Sequence, residues 1–294
     1  MLNECLEGLN IDPTGTYVDI TFGGGGHSAA ILERLTTGRL LSFDQDPDAA
    51  ANVKRLPQGK NFTFIAANFR YLQRYLRLYK AEKVNGILGD LGVSSHQFDT
   101  AERGFSTRFD AELDMRMNPN TEKTAFDILM NYTVEDLHKI FGMYGEVTNA
   151  RTLADAIYSA RHNAPITTVD DLKNILKRYA PRNRENKYYA QVFQALRIEV
   201  NEELTALEDF LLQVPDVLAP GGRLVVMSYH SLEDRLVKNF IGKGKFSGEV
   251  EKDFYGNEIK PLKAVNRKPI EAKPEEVSVN PRARSARLRV AEKL

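Results

Sequence analysis

Short runs of β-forming, mostly apolar residues recur through the first hundred positions, at Tyr17–Ile20, Leu40–Phe43, Phe62–Ile65 and Gly86–Leu88, and polar helix-forming stretches separate them. Strands that are apolar on both sides lie between two covering layers, and a chain that returns through a helix each time lays them parallel. This pattern restricts the chain to an α/β sheet with helices on both faces. Crossovers in such a sheet are right-handed almost without exception, and ligands bind beyond the carboxyl ends of the strands. The chemistry is therefore expected in the loops that leave the apolar runs.

The pattern is interrupted once. From about residue 101 strand signals vanish, and Leu137, Ile140, Phe141 and Tyr144 follow a cap-like Thr133 and Asp136 at helical spacing. Thr168 and Asp171 open a second such helix, with Leu172, Ile175, Leu176 and Tyr179 on one face and Lys173, Lys177 and Arg178 mostly outside it. A long helix is predicted from about Asn186 to Leu212, stopped by Pro215 and Pro220-Gly221-Gly222, and Leu224–Met227 then reads as another buried parallel strand. Ala286–Val290 alternates small or apolar with basic residues, as an edge strand does. We expect one α/β domain from residues 1–100 and 186–294, and an inserted helical domain from 101–185.

Composition narrows the function classes. Forty Lys and Arg balance forty Asp and Glu in 294 residues, so bulk charge does not hold a nucleic acid and any acidic partner must meet a local patch. A lone cysteine, Cys5, excludes an internal disulfide framework and a multi-cysteine zinc site, and points to a reducing, cytosolic setting. No metal is expected either, because His27, His96, His138, His162 and His230 lack ligand spacing. Apolar runs fall far short of the ~20 residues that span a bilayer, and the start lacks a signal-like segment, so no membrane is expected.

Five loops carry the chemistry. After the first strand, Asp19 precedes Gly23-Gly24-Gly25-Gly26-His27-Ser28 and a helical run, and such glycines let a ligand approach backbone N–H groups at a helix start. The acid ahead of the glycines suits a cationic amine, which S-adenosylmethionine carries and NAD lacks. Asp44 ends the second strand, 18 residues after Gly26 and close to the ~20 at which an acid holds ribose hydroxyls. Phe69, soon after the third strand, is a candidate to stack on adenine or simply a core residue.

Asp90 opens Asp90-Leu91-Gly92-Val93 after the fourth strand, where amino-methyltransferases keep a polar acceptor. An exocyclic nucleobase amine shares its lone pair with the ring, so acceptors must pin its hydrogens. Ser228-Tyr229-His230-Ser231 closes the fifth strand; Ser228 and His230 lie at the ligand edge, and His230 either contacts the target base or caps the next helix.

Taken together, Thr21–Ser28, Asp90–Ser95, Ala101–Ser106, Leu113–Met117, Phe193–Arg197, Ser231–Arg235 and Asn280–Ser285 resemble the MraW family of ribosomal RNA small subunit methyltransferases H, bacterial cytosine-N(4) enzymes. The resemblance spans nearly the whole chain. It implies a class I, Rossmann-like S-adenosylmethionine-dependent methyltransferase sheet with an inserted all-helical domain, acting on a cytidine of 16S rRNA in the decoding region of the small ribosomal subunit. It also carries over Gly25, Gly26, His27, Asp44, Phe69, Asp90 and Gln97 as cofactor residues. Departures are Gly24, where the family usually has arginine, Gly89, where it has a hydrophobic residue, and the start at Met1-Leu2-Asn3-Glu4, where members carry a His-x-Pro-Val segment. If that segment closes the site, turnover without it is expected to be slow.

RNA contact needs local positive charge. Lys260 to Leu294 holds ten Lys and Arg against four Glu, including Arg282 and Arg284, and Arg103, Arg108 and Arg116 follow Asp90. These five arginines are the expected substrate contacts. The rival readings are an NAD-dependent oxidoreductase and a non-catalytic ribosome-assembly factor, and the chain is expected to be a monomer or a homodimer.

Overall fold

The apolar runs become neighbouring strands of one sheet. The computed structural model describes residues 1–57 and 59–294. In chain order come α1 (Leu2–Leu9), β1 (Thr16–Asp19), α2 (Gly26–Arg34), β2 (Arg39–Asp44), β3 (Asn61–Ala66), α3 (Leu72–Leu78) and β4 (Val84–Asp90). A helical stretch follows, with α4 (Ser95–Asp99), α5 (Ala125–Asn131), α6 (Val134–Met143), α7 (Ala150–Arg161), α8 (Val169–Leu176) and α9 (Glu185–Asn201). The sheet resumes after α10 (Glu203–Val217) with β5 (Leu218–Ser228), α11 (Ser231–Lys243), β6 (Glu251–Lys252), β7 (Glu258–Ile259), β8 (Leu262–Ala264), β9 (Ile270–Glu271), α12 (Pro274–Val279) and β10 (Arg287–Lys293).

The main sheet runs β3-β2-β1-β4-β5-β10-β8, with β9 also paired to β10. The pairs among β1 to β5 are all parallel, and β10 is antiparallel to β5, β8 and β9. This is the mixed, mainly parallel α/β sheet that the alternation predicted. Strand order reverses between β1 and β4, the switch point at which parallel sheets open a crevice at their carboxyl edge. The side chains of Val18, Ile20, Leu41, Ile87, Leu224 and Val226 form the core on one face with Leu207, Phe210 and Val214 of α10 and with Val237 and Phe240 of α11. On the other face Leu6, Leu9, Ile31, Leu40, Leu88 and Val225 bury α1 and α2.

The chain forms two compact units, Met1–Gly92 with Leu204–Leu294, and Val93–Glu203. The helical unit is thus longer than the expected 101–185. Val93 and Phe98 already pack on its core, and α9 stays with it because Val192, Phe193, Leu196 and Val200 are buried there. The single helix expected from Asn186 to Leu212 is two helices, broken at Glu202, whose φ of 50° and ψ of 38° are left-handed. Apolar spacing continues across the break, and Glu is not a residue that announces it. Pro215 does not stop the second helix, which contains it and runs on to Val217.

The C-terminal strand is not an edge either. It lies between β5 and β8, and the basic positions that suggested exposure include Arg289, which is buried with both guanidinium arms on Asp234 of α11, at 2.7 and 3.0 Å. Burial raises the Asp234 carboxyl, but Arg289 and Arg287 overcome it and leave it below the usual carboxylate range. No helix among the described residues is long and apolar enough to cross a membrane.

Asp234→Ala strands a buried guanidinium and should cost ~3–5 kcal/mol, read from the midpoint of urea unfolding at neutral pH. Because the folded-state carboxyl titrates low, its contribution is present above about pH 4 and lost in acid, so the two midpoints should converge as pH falls below that value. A gap that persists in acid would show that ion pairing is not its source.

Candidate active site at the switch point of the sheet

One loop, Ile20 to Gly23, touches the ends of three neighbouring strands. Asp19, fully buried at the end of β1, accepts the Thr21 backbone N–H on Oδ1 at 3.0 Å and the Ser28 hydroxyl on Oδ2 at 2.7 Å. Ser28 in turn lies 2.8 Å from the Ser42 hydroxyl of β2. The Thr21 hydroxyl accepts the Asp90 backbone N–H at 2.7 Å, which ties β4 to the same loop. Two residues on, the Gly23 N–H donates to Asp44 Oδ2 at 2.7 Å, and Asp44 Oδ1 takes the Asp46 N–H at 2.9 Å. Asp19, Asp44 and Asp90 are thereby gathered at adjacent strand ends.

The glycines shape the space beside them. Gly25, with φ 81°, makes the left-handed turn that starts α2, and its N–H donates to the Phe22 carbonyl at 2.8 Å. A Cβ added at Gly24 or Gly26 would meet nothing within 4 Å, so the loop borders open space. The first-turn N–H groups of α2 have no intrahelical acceptor and face the same end of the helix.

Asp90 is partly open, with 27% of its side chain exposed. Its Oδ1 accepts the Tyr229 hydroxyl at 2.8 Å, and its Oδ2 lies 3.7 Å from His27 Nδ1. Burial pushes the Asp90 carboxyl up, opposed by His27 and by the Tyr229 hydrogen bond. Burial raises Asp19 as well, and lifts Asp44 to about 6. Tyr229 is raised by burial and by the facing Asp90 charge, so it remains a hydroxyl donor. Asp19 and Asp90 share His27 as a neighbour, while Asp46 and Asp19 raise Asp44 further, and a cation placed among the three acids relieves their repulsion.

The remaining expected residues divide. Phe69 follows β3, edge-on to Phe210 at 5.7 Å, and its turn joins the Asp44 loop through an Asn68 to Gln45 hydrogen bond of 2.8 Å. Ser228 is buried in β5 and reaches the Arg287 carbonyl at 3.4 Å. His230 occupies the N-cap of α11, with Nδ1 3.5 Å from the Glu233 N–H and Nε2 3.2 Å from Glu233 Oε1. Of the two roles left open for it, capping is the one seen. Gln97 belongs to the helical unit, where Ser94 and Gln97 cap α4 reciprocally at 3.0 and 3.2 Å.

Tyr229 and Thr21 escaped the sequence reading. Thr21 lies two residues from Asp19, Tyr229 lies between Ser228 and His230, and the signal for Tyr229 is its place as the first residue beyond β5.

Among the arginines, Arg116 forks onto Asp114 and also donates to the Pro119 and Thr121 carbonyls. Arg103 donates to the carbonyls of Arg116 and Met117 at 3.0 Å, so both brace a loop of the helical unit. Arg108 is exposed and pairs with Asp99 at 3.1 Å. Arg282 and Arg284 are exposed on the turn Pro281–Ser285, which enters β10 where Arg287 pairs with Ser228, the carboxyl edge of the sheet.

Residues 1–294 match the profile described as the MraW methylase family. Ribosomal RNA small subunit methyltransferase H of Cytophaga hutchinsonii is 61% identical over 293 residues, covering 100% of this chain and 98% of that protein. The proteins of the same name from Flavobacterium johnsoniae and Parabacteroides distasonis are each 54% identical, covering 100% of this chain and 96% of theirs.

An acid raised by burial contributes stability that is complete in acid and is lost as pH rises through its folded-state value, here about 6 for Asp44. Asp44→Asn should therefore gain on the ligand-free wild type in thermal-unfolding temperature between pH 4.5 and 7.5, whatever constant offset its altered hydrogen bonds impose. A difference independent of pH would mean that Asp44 titrates as an ordinary carboxylate.

Proposed function

The chain belongs to the MraW methylase family, and from that premise we propose that it transfers the methyl group of S-adenosylmethionine to the exocyclic 4-amino nitrogen of a cytidine in 16S rRNA, in the decoding region of the small ribosomal subunit. The observation that carries this reading is the gathering of Asp19, Asp44 and Asp90 by one loop, with Asp90 left partly open. Such a site favours a cationic sulfonium over the anionic pyrophosphate of NAD, which the three carboxylates repel.

The residues fit the cofactor. Open space over Gly24 and Gly26 admits a nucleoside beside the start of α2, and Asp44 offers its carboxylate to ribose hydroxyls. Asp19, enclosed by Thr21 and Ser28, holds the loop in place and adds negative charge beneath it. Phe69 flanks the Asp44 side. When bound, S-adenosylmethionine supplies a methyl activated by its sulfonium and open to in-line displacement.

Asp90 then works on the amine. Its Oδ2 is turned from the Tyr229 bond and accepts an amine hydrogen, which draws the nitrogen lone pair out of conjugation and along the attack line. Transfer would break the sulfonium's S–CH3 bond, leaving a neutral thioether as the N–C bond forms, and the proton shed by the nitrogen would pass to Asp90, whose raised pKa suits it to hold that proton briefly before solvent takes it. Tyr229 fixes the carboxylate's rotation. Positioning two bound reactants supplies ~7–11 kcal/mol, against ~10²–10⁴-fold from one placed acceptor, so orientation is the larger contribution.

A stacked base cannot present its amine, so the cytosine must be extruded or unpaired. Arg108, Arg282 and Arg284 are the exposed cations carried forward as phosphate contacts, while Arg103 and Arg116 brace a loop of the helical unit.

Transfer of labelled methyl from S-adenosylmethionine to small subunits lacking the modification, followed by nucleoside mass spectrometry, tests the reading. Asp90→Ala should lower kcat by ~10²–10⁴. Tyr229→Phe, which keeps the ring and removes one bond to a charged group, should lower it by about 10- to 100-fold. Methyl recovered on another atom, or wild-type rates in Asp90→Ala, overturns the mechanism.

A further inference from the structure

We propose that the β6–β7 hairpin is a second RNA contact, a platform on which unpaired bases stack at the sheet edge opposite the chemistry; the inference rests on the RNA-methyltransferase reading. Phe254 and Tyr255 stand side by side at its tip, 95% and 86% exposed. Their rings are 5.6 Å apart and nearly perpendicular, at 87°. An isolated exposed apolar residue is ordinary, but two adjacent, almost fully solvated aromatic rings mark a surface that meets a partner.

The fold has no use for those rings. The turn is built by Asp253, whose Oδ1 accepts the N–H groups of Tyr255 and Asn257 at 2.8 Å, and whose Oδ2 accepts the Asn257 side chain at 2.9 Å. The Asp253 N–H donates to the Asn257 carbonyl at 2.9 Å, and Gly256 takes φ 86°. Every one of these bonds survives replacement of both rings, which take no part in building the turn.

The surrounding charge selects the partner. From Lys243 to Lys268 there are seven Lys and Arg against four Asp and Glu, and Lys252, Lys263, Arg267 and Lys268 are all exposed. The four acids, Glu249, Glu251, Asp253 and Glu258, lie in or just before the hairpin and the exposed cations Lys263, Arg267 and Lys268 follow it, so aromatic faces beside a basic segment suit single-stranded nucleic acid, in which bases stack and phosphates pair. A protein groove or a lipid surface would favour a continuous apolar patch, and here charged residues divide the apolar ones.

Topology places the tip far from Asp90. Only Lys260 and Pro261 separate β7 from β8, and β8 starts beside Lys293 while Glu292 pairs with Arg223, at the amino edge of the parallel strands. The catalytic edge lies at the other end of β5, where Ser228 pairs with Arg287, and the 13 residues of α11 between them span about 20 Å. The platform therefore anchors RNA remote from the target base and acts on binding, not on the chemical step.

The chain has no tryptophan, so Tyr255→Trp introduces a single reporter that also stacks. Its emission should be quenched saturably by a short single-stranded RNA of mixed sequence and not by the same sequence as a duplex. Phe254→Ala with Tyr255→Ala should raise KM for small subunits about tenfold, leave kcat and S-adenosylmethionine affinity unchanged, and be rescued by Tyr255→Trp with Phe254 intact. Absent quenching, equal quenching by anionic phospholipid vesicles, or an unchanged KM in a folded double-alanine variant overturns the proposal. Should the wild type transfer no methyl to subunits, the function reading fails while the quenching titration still decides the hairpin.

Discussion

Three carboxylates can be buried at one edge of a sheet only if donors reach them: the loop after β1 brings donors to Asp19 and Asp44 and accepts the Asp90 backbone, and Tyr229 donates to the Asp90 carboxylate. The Thr21 amide and hydroxyl and the Gly23 amide fix Asp19, the Asp90 backbone and Asp44 relative to one another. Because backbone groups and a β-branched residue make the ties, the arrangement is rigid before any ligand arrives. It is also costly, since burial drives all three carboxyls upward against their hydrogen bonds. The ligand-free edge holds electrostatic strain that a positively charged guest removes, a form of preorganisation in which affinity is prepared during folding.

Much of the α/β layer was legible because its determinants are local. Strands buried on both faces must be apolar throughout, so β1, β2 and the inner part of β5 could be read as runs, and the acids at their ends as loop residues; β3, at the sheet's end and only partly buried, was legible from its β-forming residues. What could not be read depended on distant partners or on unusual backbone. Nothing near Glu202 announces a left-handed break, because apolar spacing continues through it. Pro215 suggested an end to a helix whose packing against the sheet outweighs one lost hydrogen bond. Arg289 suggested a solvent edge, and only the fold reveals Asp234 opposite it.

The candidate site shows the same divide. Residue types at strand ends were visible, but their tasks were not. Gln97 and His230 have local capping bonds in the structure, and Arg116 resembles an open cation in the sequence although Asp114 and two carbonyls engage it. Tyr229 was passed over because its function depends on facing Asp90 across two strands, a relation with no periodicity.

The helical unit interrupts the sheet between two strands that must lie side by side. β4 ends at Asp90 and β5 begins at Leu218, so that pairing waits until the whole insert has been made. During synthesis the early strands therefore present an unpaired flank for as long as the ribosome takes to deliver the intervening helices, whose largely local contacts let them settle first. Such a flank invites pairing with other chains. The insert thus makes the order of assembly part of the design: helical module first, then closure of the sheet around the break, with aggregation as the penalty for delay.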